Sequence, residues 1–211
     1  MRIMKNKGFT LVELLVVFTI MLMLATLSVA GVLAYQDYAD FKRENSYAQT
    51  LFSAAQNKMT QNSVRGQMGE LSQAAMGVVE QKDVILQNGM TASQAGNHNS
   101  MNGKTIYYLM GSKESYRRYL AGEYTGKSDT LSRGYVALYH ILEGYLYDQS
   151  ILNAAIAVEY DPAAGIVYSV FYSDKVNAFT YTEDSRGGLS NICDRRSDYR
   201  STWLIGYYGL D

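Results

Sequence analysis

Glu13 is an acidic residue in a place where an acid is costly, because the chain that follows it is apolar. The stretch from Leu14 to Ala34 has no charged residue over its 21 positions. As an α-helix it would be about 31 Å long, which matches the hydrocarbon core of a bilayer at about 30 Å. A carboxylate in such a segment is energetically expensive and normally signals a partner. The chemistry we expect of Glu13 is therefore the binding of a positive charge.

The charges that flank the apolar segment indicate its orientation. Arg2, Lys5 and Lys7 precede it, and no acid accompanies them among the first eight residues. Because basic residues remain on the cytoplasmic side, we expect the start of the chain in the cytoplasm and the rest outside. A cleaved signal peptide, with Ser28-Val29-Ala30 as its cleavage site, or an uncleaved signal anchor would have similar features. Neither a signal peptide nor a signal anchor requires an acidic residue at position 13.

The residues between the basic head and the apolar run resemble a known processing signal. Lys7-Gly8-Phe9-Thr10-Leu11-Val12-Glu13-Leu14-Leu15-Val16-Val17 is similar to the processing and assembly signal of type IV prepilins and pseudopilins. In that family a prepilin peptidase cuts after the glycine on the cytoplasmic side and methylates the new amine. The resemblance implies cleavage between Gly8 and Phe9 and N-methylation of Phe9. Glu13 would then be the fifth residue of the mature chain, where the family carries its glutamate.

The spacing of these residues has a physical reason of its own. Gly8 gives a peptidase access to the backbone without a side chain to accommodate. After cleavage the Phe9 amine is a cation, and Glu13 lies four residues further along the same helix face. In a filament core, the amine of one subunit would instead meet Glu13 of its neighbour, where an unpaired charge is heavily penalised. We expect Glu13 to set the register of assembly. The alternative is that Glu13 lies near the cytoplasmic boundary of the membrane and extends its carboxylate towards the water there.

The resemblance also implies a function. The chain would be a structural subunit of a type IV pilus or a type II secretion-like pseudopilus, assembled into a helical filament for adhesion, motility, DNA uptake or protein secretion. Its implied partners are other pilin or pseudopilin subunits, the prepilin peptidase and methyltransferase, a platform membrane protein and an assembly ATPase. It would be a single-pass protein of the cell membrane before assembly and part of a cell-surface filament afterwards. The alternative is a secreted or signal-anchored extracellular binding domain or enzyme unrelated to pili.

The composition favours a structural or binding protein over an enzyme. The chain has 19 basic and 20 acidic residues, a net charge of −1, which argues against a protein that coats nucleic acid. A single cysteine, Cys193, excludes an intrachain disulfide and a cysteine-based zinc site. His98 and His140 have no partners at the spacing of a metal site. We therefore assign no catalytic residue, no metal ligand and no cofactor.

Two clusters of arginine and tyrosine are the candidates for contact with nucleic acid. They are Tyr116-Arg117-Arg118-Tyr119 and Arg195-Arg196 with Tyr199 and Arg200. Guanidinium groups and aromatic rings can bind phosphate and stack on bases. However, the chain from Tyr35 onward has 16 basic and 19 acidic residues, so its net charge is −3. We expect these clusters to form surface ion pairs instead.

A long helix is the element that would carry Glu13. No helix breaker appears between Phe9 and Arg65-Gly66, so a helix from Phe9 to Val64 is predicted. In its second half, apolar residues recur at helical spacing with polar residues between them. The apolar positions are Tyr38, Phe41, Ala48, Phe52, Ala55 and Met59, and the polar ones are Asp37, Asp40, Lys42, Arg43, Glu44, Gln49 and Gln56. The resemblance implies a leader over 1–8. The pattern predicts a transmembrane or filament-core helix over 9–34, an amphipathic extension over 35–64 and an extracytoplasmic globular head over 65–211.

The head is predicted to contain helices, a loop and then a sheet. The periodicity predicts helices over Glu70–Gln87, Glu114–Ala121 and Ser132–Tyr147, a loop over Asn88–Lys104 and a strand over Thr105–Met110. Two runs of alternating residues within 154–173 flank Asp161-Pro162-Ala163-Ala164-Gly165 and predict a hairpin with a bulge. Phe179–Thr182 and Trp203–Tyr208 are candidates for further strands. The predicted fold class is α+β and type IV pilin-like: a long N-terminal helix packed on a C-terminal antiparallel sheet, with a helical and loop insertion.

Overall fold

A computed structural model describes residues 10–80, 105–179, 181–182, 188–189 and 206–209. The chain divides into two compact units, residues 1–40 and residues 41–211. Helix α1, Leu11–Val64, passes from the first unit into the second. It confirms the predicted long helix, which ends at Val64 as expected, and Gly31 does not interrupt it.

In the first unit, α1 is apolar and exposed. Every described side chain from Leu11 to Leu33 is exposed. The hydroxyls of Thr19, Thr26 and Ser28 each donate to a backbone carbonyl one turn earlier, at 2.7–2.8 Å. This leaves the few polar groups of the segment satisfied within the helix, as a lipid environment requires. By length and composition, α1 is a helix that could cross a membrane.

The second unit is built on a five-stranded antiparallel sheet. The strands are β1 (Gly77–Glu80), β2 (Thr105–Gly111), β3 (Ala155–Asp161), β4 (Ile166–Ser173) and β7 (Gly206–Gly209), in the spatial order β1-β2-β3-β4-β7. Two short strands, β5 (Tyr181–Thr182) and β6 (Gly188–Leu189), form a separate antiparallel pair. The remaining described elements are α2 (Met68–Ala74), α3 (Lys113–Leu120), α4 (Thr130–Glu143) and a 3-10 helix over Gln149–Leu152.

The second half of α1 packs on one face of this sheet. Ala48, Ala55 and Met59 are fully buried, in one core with Val158 and Val170 of the central strands. Most of the predicted apolar stripe is confirmed, because these positions recur on one face of the helix. Tyr38 is the exception: it belongs to the first unit and is exposed.

The prediction of a second helix over Glu70–Gln87 is wrong beyond Ala74. Helix α2 ends there, and β1 begins at Gly77. Val78 and Val79 pair with Tyr107 and Ile106 of β2. The apolar spacing is compatible with a helix. However, β-branched residues such as Val78 and Val79 are more stable in a strand when a neighbouring strand is available for pairing. Residues 81–87 and the predicted loop over 88–104 lie outside the described residues.

Both later helices are confirmed, with corrected ends. The side chain of Ser112 caps α3 by accepting from the backbone N–H of Ser115, 3.0 Å away. Asp129 caps α4 in the same manner by accepting from Ser132, at 2.9 Å. Helix α4 ends at Glu143, before Gly144, and not at Tyr147 as the apolar spacing had predicted. Glycine has a low helix propensity, and the apolar spacing that continues to Leu146 lies beyond the end of the helix.

The predicted hairpin is confirmed in both strands, its turn and its bulge. Strands β3 and β4 pair with a register shift between Glu159 and Tyr160. The Asp161 carboxylate accepts from the N–H groups of Ala163 and Ala164, and Gly165 takes a φ of +70°. Of the two further predicted strands, the described part of 203–208 pairs with β4 as β7, whereas 181–182 pairs with β6 outside the main sheet. The outcome confirms the α+β, pilin-like fold class.

Candidate processing and assembly site

Glu13 lies in the first turn of α1, and the cleavage pair Gly8 and Phe9 lies outside the described residues. Glu13 Oε2 accepts from the backbone N–H and from the hydroxyl of Thr10, both at 2.8 Å. The Glu13 N–H in turn donates to Thr10 Oγ1, 3.3 Å away. This reciprocal pair is a capping box, which satisfies N–H groups that a helix start otherwise leaves without partners.

Thr10 is a site residue that the sequence interpretation passed over. The signal was present, because a threonine three residues before a glutamate and ahead of an apolar run is the signature of a capping box. Thr10 and Glu13 therefore define where α1 begins, close to the predicted new N-terminus. This places the start of the helix and the acid within one turn of each other.

One oxygen of the Glu13 carboxylate remains available for a second partner. Oε2 is used by Thr10, whereas Oε1 accepts no hydrogen bond from the residues that the structure describes. The carboxylate is exposed, as are its neighbours Leu11 and Leu14, at 81% and 59%. The arrangement can thus cap its own helix and at the same time bind a cation from outside the subunit. The apolar side chains around it would surround such a pair with a medium that excludes water.

Glu44, assigned by periodicity to the polar positions of α1, is instead fully buried in the second unit. Its Oε2 accepts from the backbone N–H of Asp174, 3.2 Å away, just after β4. Arg43 Nη2 lies 3.1 Å from the Asp174 carboxylate and 3.5 Å from Glu44 Oε1. These contacts join the long helix to the end of the hairpin.

Burial raises the pKa of Glu44 to about 7, and the negative charge of Asp174 adds to the shift. In the unfolded chain a glutamate has a pKa of about 4.3. The folded state therefore binds the proton more tightly than the unfolded state. Stability from this group is complete below the unfolded pKa and is lost as the pH rises through about 7.

We expect Glu44→Gln to remove a pH dependence from the second unit. In the wild-type chain, the free energy of unfolding should fall between pH 5 and pH 8 by up to roughly 3 kcal/mol. The variant keeps an oxygen for the Asp174 N–H but cannot ionise, so its profile should be flatter. Thermal unfolding of the full chain in neutral detergent, followed by circular dichroism across this pH range, measures the difference. Glu114→Gln, an exposed change on α3, is the control, and an equal flattening in it would contradict the assignment.

Gln56 is a second polar residue of α1 whose role the periodicity missed. Its Nε2 donates to the Gly165 carbonyl at 3.1 Å, and its Oε1 accepts from the Val167 N–H at 2.8 Å. One amide side chain thus satisfies both a donor and an acceptor at the start of β4. Gln56 thus links the hairpin turn to α1 by two hydrogen bonds. An apolar residue at this position would leave the Gly165 carbonyl and the Val167 N–H without these partners.

The first arginine and tyrosine cluster forms the ion pairs expected of it. Arg117 lies 2.6 Å from Glu114, and Arg118 lies 2.7 Å from Glu123. Both guanidinium groups are therefore engaged by carboxylates of their own surface. The second cluster, residues 195–200, lies outside the described residues, so its assignment stays a prediction.

Among the described residues, the remaining candidates for chemistry add no site. His140 is exposed on α4 with its ring against Tyr119, and its centroid lies 6.1 Å from the tyrosine ring. His98 and Cys193 lie outside the described residues. Within the described ranges, no group of three or more histidine, cysteine or acidic side chains could hold a metal ion.

Comparison with known proteins finds one match, at the N-terminus. Residues 3–29 match the family described as Prokaryotic N-terminal methylation motif. The match includes Gly8, Phe9 and Glu13, and it ends within the apolar part of α1. No curated protein and no solved structure matches the chain.

Motif and fold together define a class. The chain carries a prepilin-type methylation motif at the start of the long helix of a pilin-like α+β fold. Pilin-like proteins of this class are typically structural subunits and not enzymes.

Proposed function

We propose that this chain is a structural subunit of a type IV pilus or a type II secretion-like pseudopilus. The observation that carries the proposal is the prepilin-type motif at residues 3–29, which leads directly into an apolar and exposed helix. The apolar surface of such a helix must be shielded from water, because a large exposed apolar surface marks a membrane or a protein interface. A bilayer would bury this surface before assembly, and the helices of neighbouring subunits would bury it in a filament.

The proposed sequence of events starts at the cytoplasmic face of the membrane. Prepilin peptidase hydrolyses the peptide bond between Gly8 and Phe9, and the new amine of Phe9 is methylated. The free oxygen of Glu13 then receives the ammonium group of an adjoining subunit, while its other oxygen keeps the cap with Thr10. The charge pair forms only when two subunits are in register, so the same interaction that offsets the cost of burying the acid also selects the correct position.

The remaining machinery follows from this route. A platform membrane protein and an assembly ATPase would extract the subunit from the membrane into the filament. The head, residues 65–211, would then lie outside the cell.

The competing hypothesis is a secreted or signal-anchored binding domain or enzyme unrelated to pili, in which the N-terminal segment serves only as a signal.

Mass spectrometry of the mature N-terminus tests the proposal. Expressed with a prepilin peptidase, the chain should begin at an N-methylated Phe9. Gly8→Leu should retain the leader, because the larger side chain obstructs access to the backbone at the cleavage site. A chain that begins at Gly31, after the alternative signal-peptide site, would contradict the proposal. So would a wild-type chain that keeps its first eight residues in the presence of the peptidase.

A further inference from the structure

A groove in the second unit has no role in the proposed assembly. It lies among the end of α1, helix α2, the turn between α3 and α4, and α4 itself, and its volume is about 1280 Å³. Binding sites for small molecules measure about 300–1,000 Å³. The larger space suits a segment of an extended molecule.

Tyr124 lines this groove and is unusual in its chemistry. Its side chain is 5% exposed, and its buried hydroxyl has no hydrogen-bond partner among the residues that the structure describes. A buried hydroxyl without a partner costs about 1–3 kcal/mol, so it calls for a reason. Phenylalanine would fill the same space at no such cost. The hydroxyl therefore points to a partner other than the residues that the structure describes.

Two cations lie over the ring of the same residue: Arg118, which is paired with Glu123, and Lys127. Lys127 Nζ lies 5.8 Å from the centre of the Tyr124 ring, and Lys127 and Arg133 both line the groove. Neither of these two side chains forms an ion pair within the described part of the chain. A third cation of the lining, Lys58, donates to Gln61 at 3.0 Å.

The groove is locally basic on an acidic unit. Its lining holds three cations, Lys58, Lys127 and Arg133, against two acids, Glu70 and Glu143. The second unit as a whole, residues 41–211, has by contrast 16 basic and 17 acidic residues. An anion is thus attracted to this groove more than to the surface at large.

We propose that this groove binds a segment of an acidic polysaccharide. Lys127 and Arg133 pair with its carboxylates, and the Tyr124 hydroxyl binds a hydroxyl group of a sugar. Amides and a hydroxyl in the lining supply further partners for sugar hydroxyls; these belong to Asn62, Gln67, Gln73 and Thr125. The proposal concerns the head alone and does not depend on assembly into a filament.

Two other anionic polymers fit the groove less well. An extended peptide whose main chain pairs with a protein is bound along the edge of a sheet. The described lining of this groove consists of helices and a turn, so these residues offer no strand for the main chain of a peptide to pair with. Single-stranded nucleic acid is normally bound with its bases stacked on aromatic rings, whereas the ring of Tyr124 is buried in the lining.

Titration of the full chain in neutral detergent with labelled oligogalacturonate tests the inference by fluorescence anisotropy. We expect saturable binding that a neutral dextran oligomer does not reproduce. Lys127→Gln combined with Arg133→Gln should weaken binding about tenfold or more, equivalent to about 1.4 kcal/mol. Lys113→Gln combined with Arg117→Gln makes the same change in net charge outside the groove and should bind as the wild type does.

Tyr124→Phe separates binding from folding. Loss of an unpaired hydroxyl should leave the melting temperature unchanged or higher, while the affinity for oligogalacturonate falls several-fold. The inference is overturned if the wild type shows no saturable binding or if the groove and control pairs weaken binding equally. It is also overturned if Tyr124→Phe binds as the wild type does, or if poly-glutamate or a single-stranded oligonucleotide binds as tightly as oligogalacturonate.

Discussion

Glu13→Ala is expected to leave the chain inserted in the membrane and to remove it from filaments. Insertion depends on the apolar run that follows, and the loss of a charge makes that run more apolar. Assembly would bury the ammonium group of a neighbouring subunit without its partner. Breaking a buried charge pair costs about 3–5 kcal/mol, which corresponds to a loss of roughly a hundredfold or more in the assembly equilibrium.

The capping box provides a way to separate the charge from the fold of the helix start. Glu13→Gln keeps an oxygen that can accept from the Thr10 N–H, since glutamine also serves in a capping box, but it removes the charge. Thr10→Val removes the hydroxyl and keeps the charge. If the carboxylate is needed as an anion, Glu13→Gln should fail to assemble as Glu13→Ala does, and Thr10→Val should assemble.

Filaments sheared from cells and quantified against the membrane-bound pool measure this difference. Glu114→Gln is the matched control, because it also removes one carboxylate charge, but from an exposed position on α3 outside the apolar segment. Incorporation of Glu13→Gln at the wild-type level would show that Glu13 acts only as a cap. The proposed pairing between subunits would then have to be abandoned.

Gly206→Ala is expected to destabilise the second unit more than an ordinary surface substitution. Strand β7 passes so close to α1 that a Cβ atom at Gly206 would overlap the backbone carbonyl of Glu44 and approach the Asn45 nitrogen to 2.8 Å. These are backbone atoms of a helix packed in the core, so they cannot rotate away. Overpacking typically costs about 1–3 kcal/mol, and we place this position at the upper end. The melting temperature should fall by roughly 6–12 °C, at about 2–4 °C for each kcal/mol.

Gly69→Ala is the control for this substitution. Gly69 lies in α2, and a Cβ there would have no atom within 4 Å. Alanine is favoured over glycine in a helix by up to about 1 kcal/mol, so the control should be neutral or slightly stabilising. Thermal unfolding of both full-length variants in the same detergent gives the comparison. Equal melting temperatures for the two would mean that β7 does not pack against α1 in this way.

Much of the fold follows from local signals. The long helix and the β3–β4 hairpin were predicted because each depends on a short stretch of sequence. For the helix it was an unbroken apolar and then amphipathic run, and for the hairpin it was alternation around Asp161 and Gly165. The Thr10–Glu13 capping box belongs to the same group, since its spacing is visible in the sequence. It could have been predicted from that spacing alone.

The features that sequence analysis predicts wrongly or misses depend on contacts between residues far apart in the sequence. The spacing of Leu71, Ala75 and Val78 predicts a helix through the residues of β1, and only the pairing with β2 shows that they form a strand. Glu44 and Gln56 were placed on the polar side of α1, yet both contact residues more than one hundred positions away. No pattern within the helix contains information about the hairpin that packs against it.

By itself, the sequence determined the N-terminal motif, the length of α1, the apolar character of its first half and the place of the hairpin. These are properties of neighbouring residues, so hydropathy, charge and turn chemistry along the chain are enough to establish them. Only the tertiary structure decided that Glu44 is buried beside Asp174, that β7 closes against α1 at Gly206, and that cations converge on the Tyr124 groove. Burial and charge proximity depend on which distant segments pack together, and this is set by the cooperative free energy of the whole core.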